Sequence, residues 1–239
     1  MSATIDGVTV AAVVLAASVE SALADADGVP RVRRIADTAW AGGALPIVVV
    51  APDPDGHVAA ALAGAPVTLA EPAPAEGGPV GQICRGIDVA AAEVRETSGA
   101  LVWPARMCWV GAETVTSLLE AHGGVLRTIL RPAYRDEPGW PAVVPLSELE
   151  ALRALPAGLM PGELIAVLTE HGAVAARSIE LGDPGTTIDG STSRADLPPY
   201  EGPPEPAARH EHEWGAPAAD QPDDAPVPGP TIARYPSAG

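Results

Sequence analysis

Val8-Thr9-Val10-Ala11-Ala12-Val13-Val14-Leu15-Ala16-Ala17 runs without a charge into Ser18-Val19-Glu20-Ser21-Ala22-Leu23-Ala24-Asp25-Ala26-Asp27-Gly28. A continuous apolar run of that length is what a central parallel strand buried on both faces requires. A strand feeding a turn is also how a nucleotide-binding α/β domain begins. The turn, however, lacks what a phosphate site needs. Such a site uses glycine to expose backbone N–H groups and a cation that reaches the phosphates. Here the only glycine comes last, and the charged residues are Glu20, Asp25 and Asp27. The whole chain has no lysine, since all 14 of its Lys+Arg residues are Arg.

Working outward, apolar runs alternate with helical patterns. Val10–Ala17, Ile47–Val50, Val67–Leu69, Ala100–Trp103, Val125–Leu130 and Ala173–Ile179 read as strands. Pro30 suits the first turn of a helix that carries Val32, Ile35, Ala36 and Ala39 on one face, and Gly42-Gly43 ends it. Asp53 or Asp55 caps a short helix over Val58–Leu62. Further helices are expected over Val80–Glu96, Glu113–Ala121, Ser147–Leu155 and Gly162–Glu170, and Gly139–Val144 as one arm of an extended hairpin. Alternation of this kind implies an α/β fold: a three-layer, Rossmann-like, mostly parallel sheet with helices on both faces. Ligands of such sheets bind beyond the carboxyl ends of the strands. Chemistry is therefore expected in the loops at 18–28, 71–79, 104–111 and 183–191.

Composition sets the outer bounds. The chain of 239 residues is 47% hydrophobic, which supplies a core, yet only 3% aromatic with no Phe, so that core is aliphatic. A net charge of −17 opposes binding to nucleic acid and to anionic membranes. Cys84 and Cys108 share no motif, which fits a reducing cytoplasm rather than a disulfide framework. The first apolar stretch has no basic flank and is too short to span a bilayer. Residues 1–197 read as the folded domain. Residues 198–239, punctuated by proline from Pro198-Pro199 to Pro236, read as an acidic, disordered tail.

Several segments, taken in order, resemble the MobA/MocA-like NTP transferases, the nucleotidyltransferases of molybdenum-cofactor maturation. Val13-Val14-Leu15-Ala16-Ala17 resembles the family's first strand, which there opens into a glycine-rich loop with Arg and Lys. Pro30-Arg31-Val32-Arg33-Arg34 resembles the helix after that loop, and Pro46–Ala51 the second strand. Glu76-Gly77-Gly78-Pro79, running on to Cys84-Arg85-Gly86-Ile87, resembles the glycine loop and helix near the base and sugar. Trp103-Pro104-Ala105-Arg106-Met107-Cys108-Trp109-Val110 and Glu113-Thr114-Val115 resemble the strand end that bears the metal aspartate. Arg131-Pro132-Ala133-Tyr134 with Pro138-Gly139-Trp140-Pro141 is similar to a Tyr…Gly-His-Pro segment. Asp183-Pro184-Gly185 and Ile188-Asp189-Gly190-Ser191-Thr192 are similar to the closing Asp-x-Asp-Thr motif. The resemblance implies a nucleotide-diphospho-sugar-transferase-like domain. It also implies a nucleotide held near Ala17, Ser18, Gly77, Gly78 and Arg85, and a metal at Asp189.

The departures from that pattern fall on the chemistry. Nucleotidyl transfer gathers negative charge on the α-phosphate, which Mg²⁺ and cationic side chains stabilise. One metal carboxylate of the family corresponds to Arg106, and the second acid of the closing motif to Ser191. The phosphate-clamping Arg and Lys fall among Ala22–Asp27, and the His of Gly-His-Pro is Trp140. Arg106 is expected either to hold a phosphate or carboxylate in place of a metal, or simply to neutralise a nearby acid. Gly77, Gly78 and Gly81 either let a base approach the backbone or only mark a tight loop.

Other candidates carry less. His210-Glu211-His212-Glu213 lies in the tail without the geometry of a structural zinc site. Cys108 has no His nearby in sequence to act as its base. Ser18 and Ser21 lack the Gly-x-Ser-x-Gly context of a nucleophile elbow.

Two functions remain open. One is a degenerate NTP-transferase-fold protein serving as a binding or assembly partner in molybdenum-cofactor enzyme maturation, with a protein bound through the folded domain or the acidic tail. The other is an active cytidylyl- or guanylyltransferase using Mg²⁺ and an NTP. Its substitute cations would be Arg31, Arg33 or Arg34, and its metal ligands Asp53, Asp55, Asp183 or Asp189.

Overall fold

The strand β1 (Thr9–Leu15) lies at the centre of the sheet, with its five inner residues buried. The computed structural model describes residues 9–170, 174–202 and 229–235. After β1 come the short helix α1 (Val19–Leu23) and a small hairpin, β2 (Asp25–Ala26) with β3 (Val29–Pro30). Then follow α2 (Arg31–Ala41), β4 (Ile47–Val50), α3 (His57–Ala61), β5 (Thr68–Ala70), α4 (Gly78–Glu93) and β6 (Thr97–Pro104). The second half adds α5 (Ala112–Gly124), β7 (Thr128–Tyr134), β8 (Glu137–Pro138), β9 (Ala142–Pro145), α6 (Leu149–Arg153), α7 (Pro161–Glu170) and β10 (Ala175–Glu180). The last described strand is β11 (Thr231–Ala233).

The main sheet runs β10-β7-β9-β6-β1-β4-β5-β11. β1 pairs in parallel with both β4 and β6, and β5 continues the parallel order beyond β4. β9 is antiparallel to β6 and β7 on either side, while β7 and β10 are parallel to each other. Helix α4 packs on β1 and β4 with α6 and α7 beside it, and α2 packs with α5 against the strands. The result is the mostly parallel α/β sheet that the alternating pattern requires.

Local chemistry explains the boundaries. α2 buries Val32, Ile35, Ala36 and Ala39, the predicted face, and stops at Gly42. Asp53 is the residue that caps α3, its two oxygens accepting from Val58 N and Ala59 N at 2.9 Å each. α4 lies so close to the sheet that a Cβ on Gly86 would strike Val13 Cγ1 and come within 3.0 Å of Val50 Cγ2. The core is aliphatic, and its largest fully buried side chain, Trp103, satisfies its indole N–H on Met107 O at 2.8 Å. His122, near the end of α5, is wholly buried and meets Ser98 Oγ through Nε2 at 3.1 Å. Burial holds its imidazole below the ordinary value of 6.5.

Several expectations are corrected. The turn after β1 is not a plain loop, because Ser18 caps a helix there and the acids at 25–27 belong to a hairpin. The strand expected from Val125 begins at Thr128 and extends to Tyr134. Ser147–Leu155 is a 3-10 turn over Leu146–Glu148 followed by the single-turn α6. The tail beyond residue 198 is not structureless throughout. Thr231, Ile232 and Ala233 add a parallel strand to the edge of β5. Arg85 fixes that strand by donating to the carbonyls of Ala233 at 2.8 Å and Arg234 at 2.7 Å, with its guanidinium over the Tyr235 ring. His210-Glu211-His212-Glu213 lies outside the described residues. Among the described residues no helix is long and apolar enough to cross a membrane.

Two outcomes test this packing. Gly86→Ala overpacks the α4–sheet contact and is expected to lower unfolding free energy by about 1–3 kcal/mol, read by urea denaturation. Neutral His122 contributes stability that is complete above pH about 6.5 and lost as pH falls toward its depressed native value, because the unfolded chain then binds the extra proton. His122→Leu should therefore flatten the fall in melting temperature between pH 6.5 and 5, relative to the unaltered chain.

Candidate functional site

Because β1, β4, β5 and β6 run parallel, their carboxyl ends open on one edge of the sheet. A cleft of about 590 Å³ lies there. Leu15, Ala16 and Ala17 form its floor at the end of β1, with Val50 and Pro52 beyond β4. One wall is the loop after β5, through Pro72, Ala73, Ala75 and Pro79. The opposite wall is Pro104, Ala105 and Arg106 at the end of β6, and Met160-Pro161 closes one side from the connection into α7. The walls are therefore almost wholly apolar. Gln82 also faces the cleft, but its amide clamps Ala73, accepting from Ala73 N at 2.8 Å and donating to Ala73 O at 3.0 Å. Among the described residues Arg106 is the only charged side chain lining the space.

Of the residues picked out from sequence, Ala17 and Arg106 line this cleft. Ser18 does not; its hydroxyl accepts from Ser21 N at 3.1 Å and caps α1, and it is Ser21 that faces the cavity. Gly77 and Gly78 shape the wall without lining it. Gly78 sits at φ 54° with Ala157 O occupying the place of a Cβ, so glycine is needed there to start α4. Arg85 is committed elsewhere: besides the tail, it donates to Glu71 O at 3.2 Å. The basic residues at the start of α2 are largely committed too. Arg33 is paired with Asp37 at 2.9 Å and donates to Ala63 O at 2.8 Å. Arg34 donates to Ala26 O at 2.9 Å and lies over the Trp109 ring.

Beside the cleft, the closing segment folds onto the loop after β6. Gly190 N donates to Arg106 O at 2.7 Å, Arg31 Nη2 donates to Gly190 O at 2.8 Å, and Trp109 Nε1 donates to Thr192 O at 3.0 Å. Asp189 Oδ1 accepts from Ser191 N at 2.9 Å and Ser191 Oγ at 2.6 Å. Those two bonds, then the nearby Arg106 and Arg31 guanidinium groups, hold its carboxyl below the usual range despite partial burial. Asp183 is buried. Its Oδ2 accepts from Gly111 N at 2.9 Å and Thr114 Oγ1 at 2.6 Å, and its Oδ1 from Gly185 N at 2.8 Å. Burial raises the Cys108 thiol, so it offers no ready thiolate.

These donor sets do not fit Mg²⁺ in the cleft. That ion needs one or two carboxylates beside the phosphates, and among the described residues no carboxylate lines the cavity. Asp53 and Asp183 spend both oxygens on N–H and O–H donors, and one oxygen of Asp189 serves its own turn. Among the described residues no three His, Cys, Asp or Glu side chains gather as a metal site. Gln82 and the Met160-Pro161 pair had no signal in the sequence, because they reach the cleft from segments remote from each other.

A family model described as a MobA-like NTP transferase domain matches residues 18–174. Solved structures of similar fold include a nucleotidyl transferase from Methanothermobacter, at 19% identity and TM-score 0.58, covering 73% of this chain and 88% of that one. Another is a manganese complex of the Mycobacterium tuberculosis protein Rv0371c, at 19% identity and TM-score 0.56, covering 72% and 88%. A third is 4-diphosphocytidyl-2C-methyl-D-erythritol synthase from Anaerococcus prevotii, at 11% identity and TM-score 0.61, covering 79% and 92%. At these identities the likeness concerns the fold. A comparison with curated protein sequences finds no match.

Asp183→Ala leaves Gly111 N, Thr114 Oγ1 and Gly185 N without their acceptor. It is expected to cost about 2–4 kcal/mol in a urea titration. A loss under about 0.5 kcal/mol would contradict the clamp.

Proposed function

The chain belongs to the MobA-like NTP transferase domain family, and we propose that within it this protein has lost nucleotidyl transfer and works as a binding or assembly partner. The observation that carries the reading is the lining of the cleft: among the described residues it has apolar walls, one guanidinium and no carboxylate. Transfer to the α-phosphate needs concentrated positive charge as pyrophosphate leaves. In this fold that charge would come from a metal and from cations on the loop after β1. Here that loop holds Glu20, Asp25 and Asp27, and Arg33 and Arg34 are engaged in structural contacts. The nucleotide positions implied by the resemblance now divide: Ala17 faces the cavity, Ser18, Gly77 and Gly78 shape its surroundings, and Arg85 secures the tail strand. The setting that the family suggests is maturation of a molybdenum or related cofactor enzyme. A protein partner would bind through the folded domain or the acidic tail.

One observation favours the competing reading of an active cytidylyl- or guanylyltransferase. Asp189 is a partly buried carboxylate held ionised beside Arg106 and Arg31. The nucleotidyltransferases named above share the fold, although it alone assigns no chemistry.

Pyrophosphate release separates the two. The full chain is incubated with Mg²⁺ and each NTP, with a panel of phosphate, sugar-phosphate and pterin acceptors. No release above the protein-free control is expected, and Arg106→Asp alone is expected to create none, because the loop after β1 still lacks cations. Mg²⁺-dependent release that disappears in Asp189→Ala would establish the active enzyme instead.

A further inference from the structure

The walls of the cleft also indicate what it can hold. A cavity of about 590 Å³ is of a size that buries a small organic ligand. Its lining of Ala, Pro, Leu, Val and Met offers almost no hydrogen bonding, so the body of a bound molecule must be mostly apolar. Among the described residues two side chains at the cavity remain for polar recognition. One is the Ser21 hydroxyl, and the other is the exposed Arg106 guanidinium. Gln82 is excluded, since both ends of its amide are bound to Ala73.

Charge then sets the number of anionic groups. No carboxylate lies within ion-pair distance of Arg106 among the described residues. Asp189, on which the Arg106 charge acts, is turned to Ser191, and Arg31 is bound to Gly190 O. Among the described residues that line the cleft Arg106 alone is charged, so one positive charge faces the cavity. A triphosphate, with several negative charges, would lose hydration there without a matching set of donors. A single carboxylate or sulfonate would meet one guanidinium fork.

We infer that this cleft takes a small, largely apolar molecule carrying one anionic group, with Arg106 as its counter-charge. The inference rests on the reading that the site does not transfer nucleotidyl groups, and it adds the class of ligand the site accepts. Floor and walls contribute by displacing water from the apolar body, and Arg106 fixes which end faces outward.

The test uses the full chain and two fluorescent probes of matched shape. They are 1-anilinonaphthalene-8-sulfonate, which is singly anionic, and N-phenyl-1-naphthylamine, which is neutral. Saturable one-site binding of both is expected. Arg106→Gln should weaken the sulfonate by about tenfold or more and leave the neutral probe within about twofold. Arg106 is exposed, so the variant is expected to keep its melting temperature. Ala17→Phe, at an exposed floor position, should weaken both probes by filling the cavity. Equal loss of both probes in Arg106→Gln, or unchanged binding in Ala17→Phe, overturns the inference. Displacement of the sulfonate by CTP or GTP with Mg²⁺, without pyrophosphate release, also overturns it while leaving the loss of transfer standing. Pyrophosphate release overturns the underlying reading itself.

Discussion

The carboxyl edge of the sheet is organised by one buried carboxylate, Asp183. It draws donors from Gly111 and Thr114 at the start of α5 and from Gly185 in its own turn. A carboxyl oxygen in so buried a place is tolerable only when its lone pairs are met by donors. That requirement fixes the segment after β10 against the segment after β6. Once the two are joined, Gly190 reaches Arg106 O, Thr192 reaches the Trp109 indole, and Arg31 reaches Gly190. The side of the cleft that carries Arg106 is thereby held in place.

The same economy runs through the other charged groups. Arginine is the sole basic residue apart from histidine, and several of its described copies bind backbone carbonyls. Arg31, Arg33, Arg34, Arg85 and Arg131 each donate to at least one. A guanidinium suits this work because its planar fork satisfies several acceptors at once. Lysine, a point charge on a flexible stem, suits phosphate capture equally well but would not brace loops in this way. The basic groups here have gone chiefly into architecture, and the acids Asp53 and Asp183 likewise close helix and turn N–H groups. Chemistry at the cleft is left with Arg106 and, beside it, Asp189.

The far edge of the sheet shows the complementary problem of an unpaired strand. β5 would present free N–H and C=O groups to solvent, a position that invites pairing. β11 covers it from the chain's own tail, and Glu71 joins in by donating from its N–H to Ala233 O at 2.7 Å and accepting from Tyr235 N at 2.8 Å. Glu71 immediately precedes the Pro72–Ala75 wall, so the tail strand and the cleft share one short segment of backbone.

The sequence by itself determined the sheet. Buried parallel strands need continuous aliphatic runs, and Ile47–Val50 or Val10–Leu15 can serve as little else. It also determined that Asp53 or Asp55 caps α3, since an acid placed just before a helix finds its donors locally, and the structure selects Asp53. The missing lysine and the acidic first turn were equally plain, because they are statements of composition. What only tertiary structure decided was the use of groups whose partners are remote. Asp183 reads as a metal ligand until Gly111 and Thr114 arrive beside it, and Arg85 as a nucleotide contact until Ala233 does. Met160 and Pro161 wall a cavity whose floor is laid by Ala17. Local patterning specifies elements because each residue's own neighbours supply the hydrogen bonds. The employment of a charge depends on which atoms the whole chain brings within reach of it.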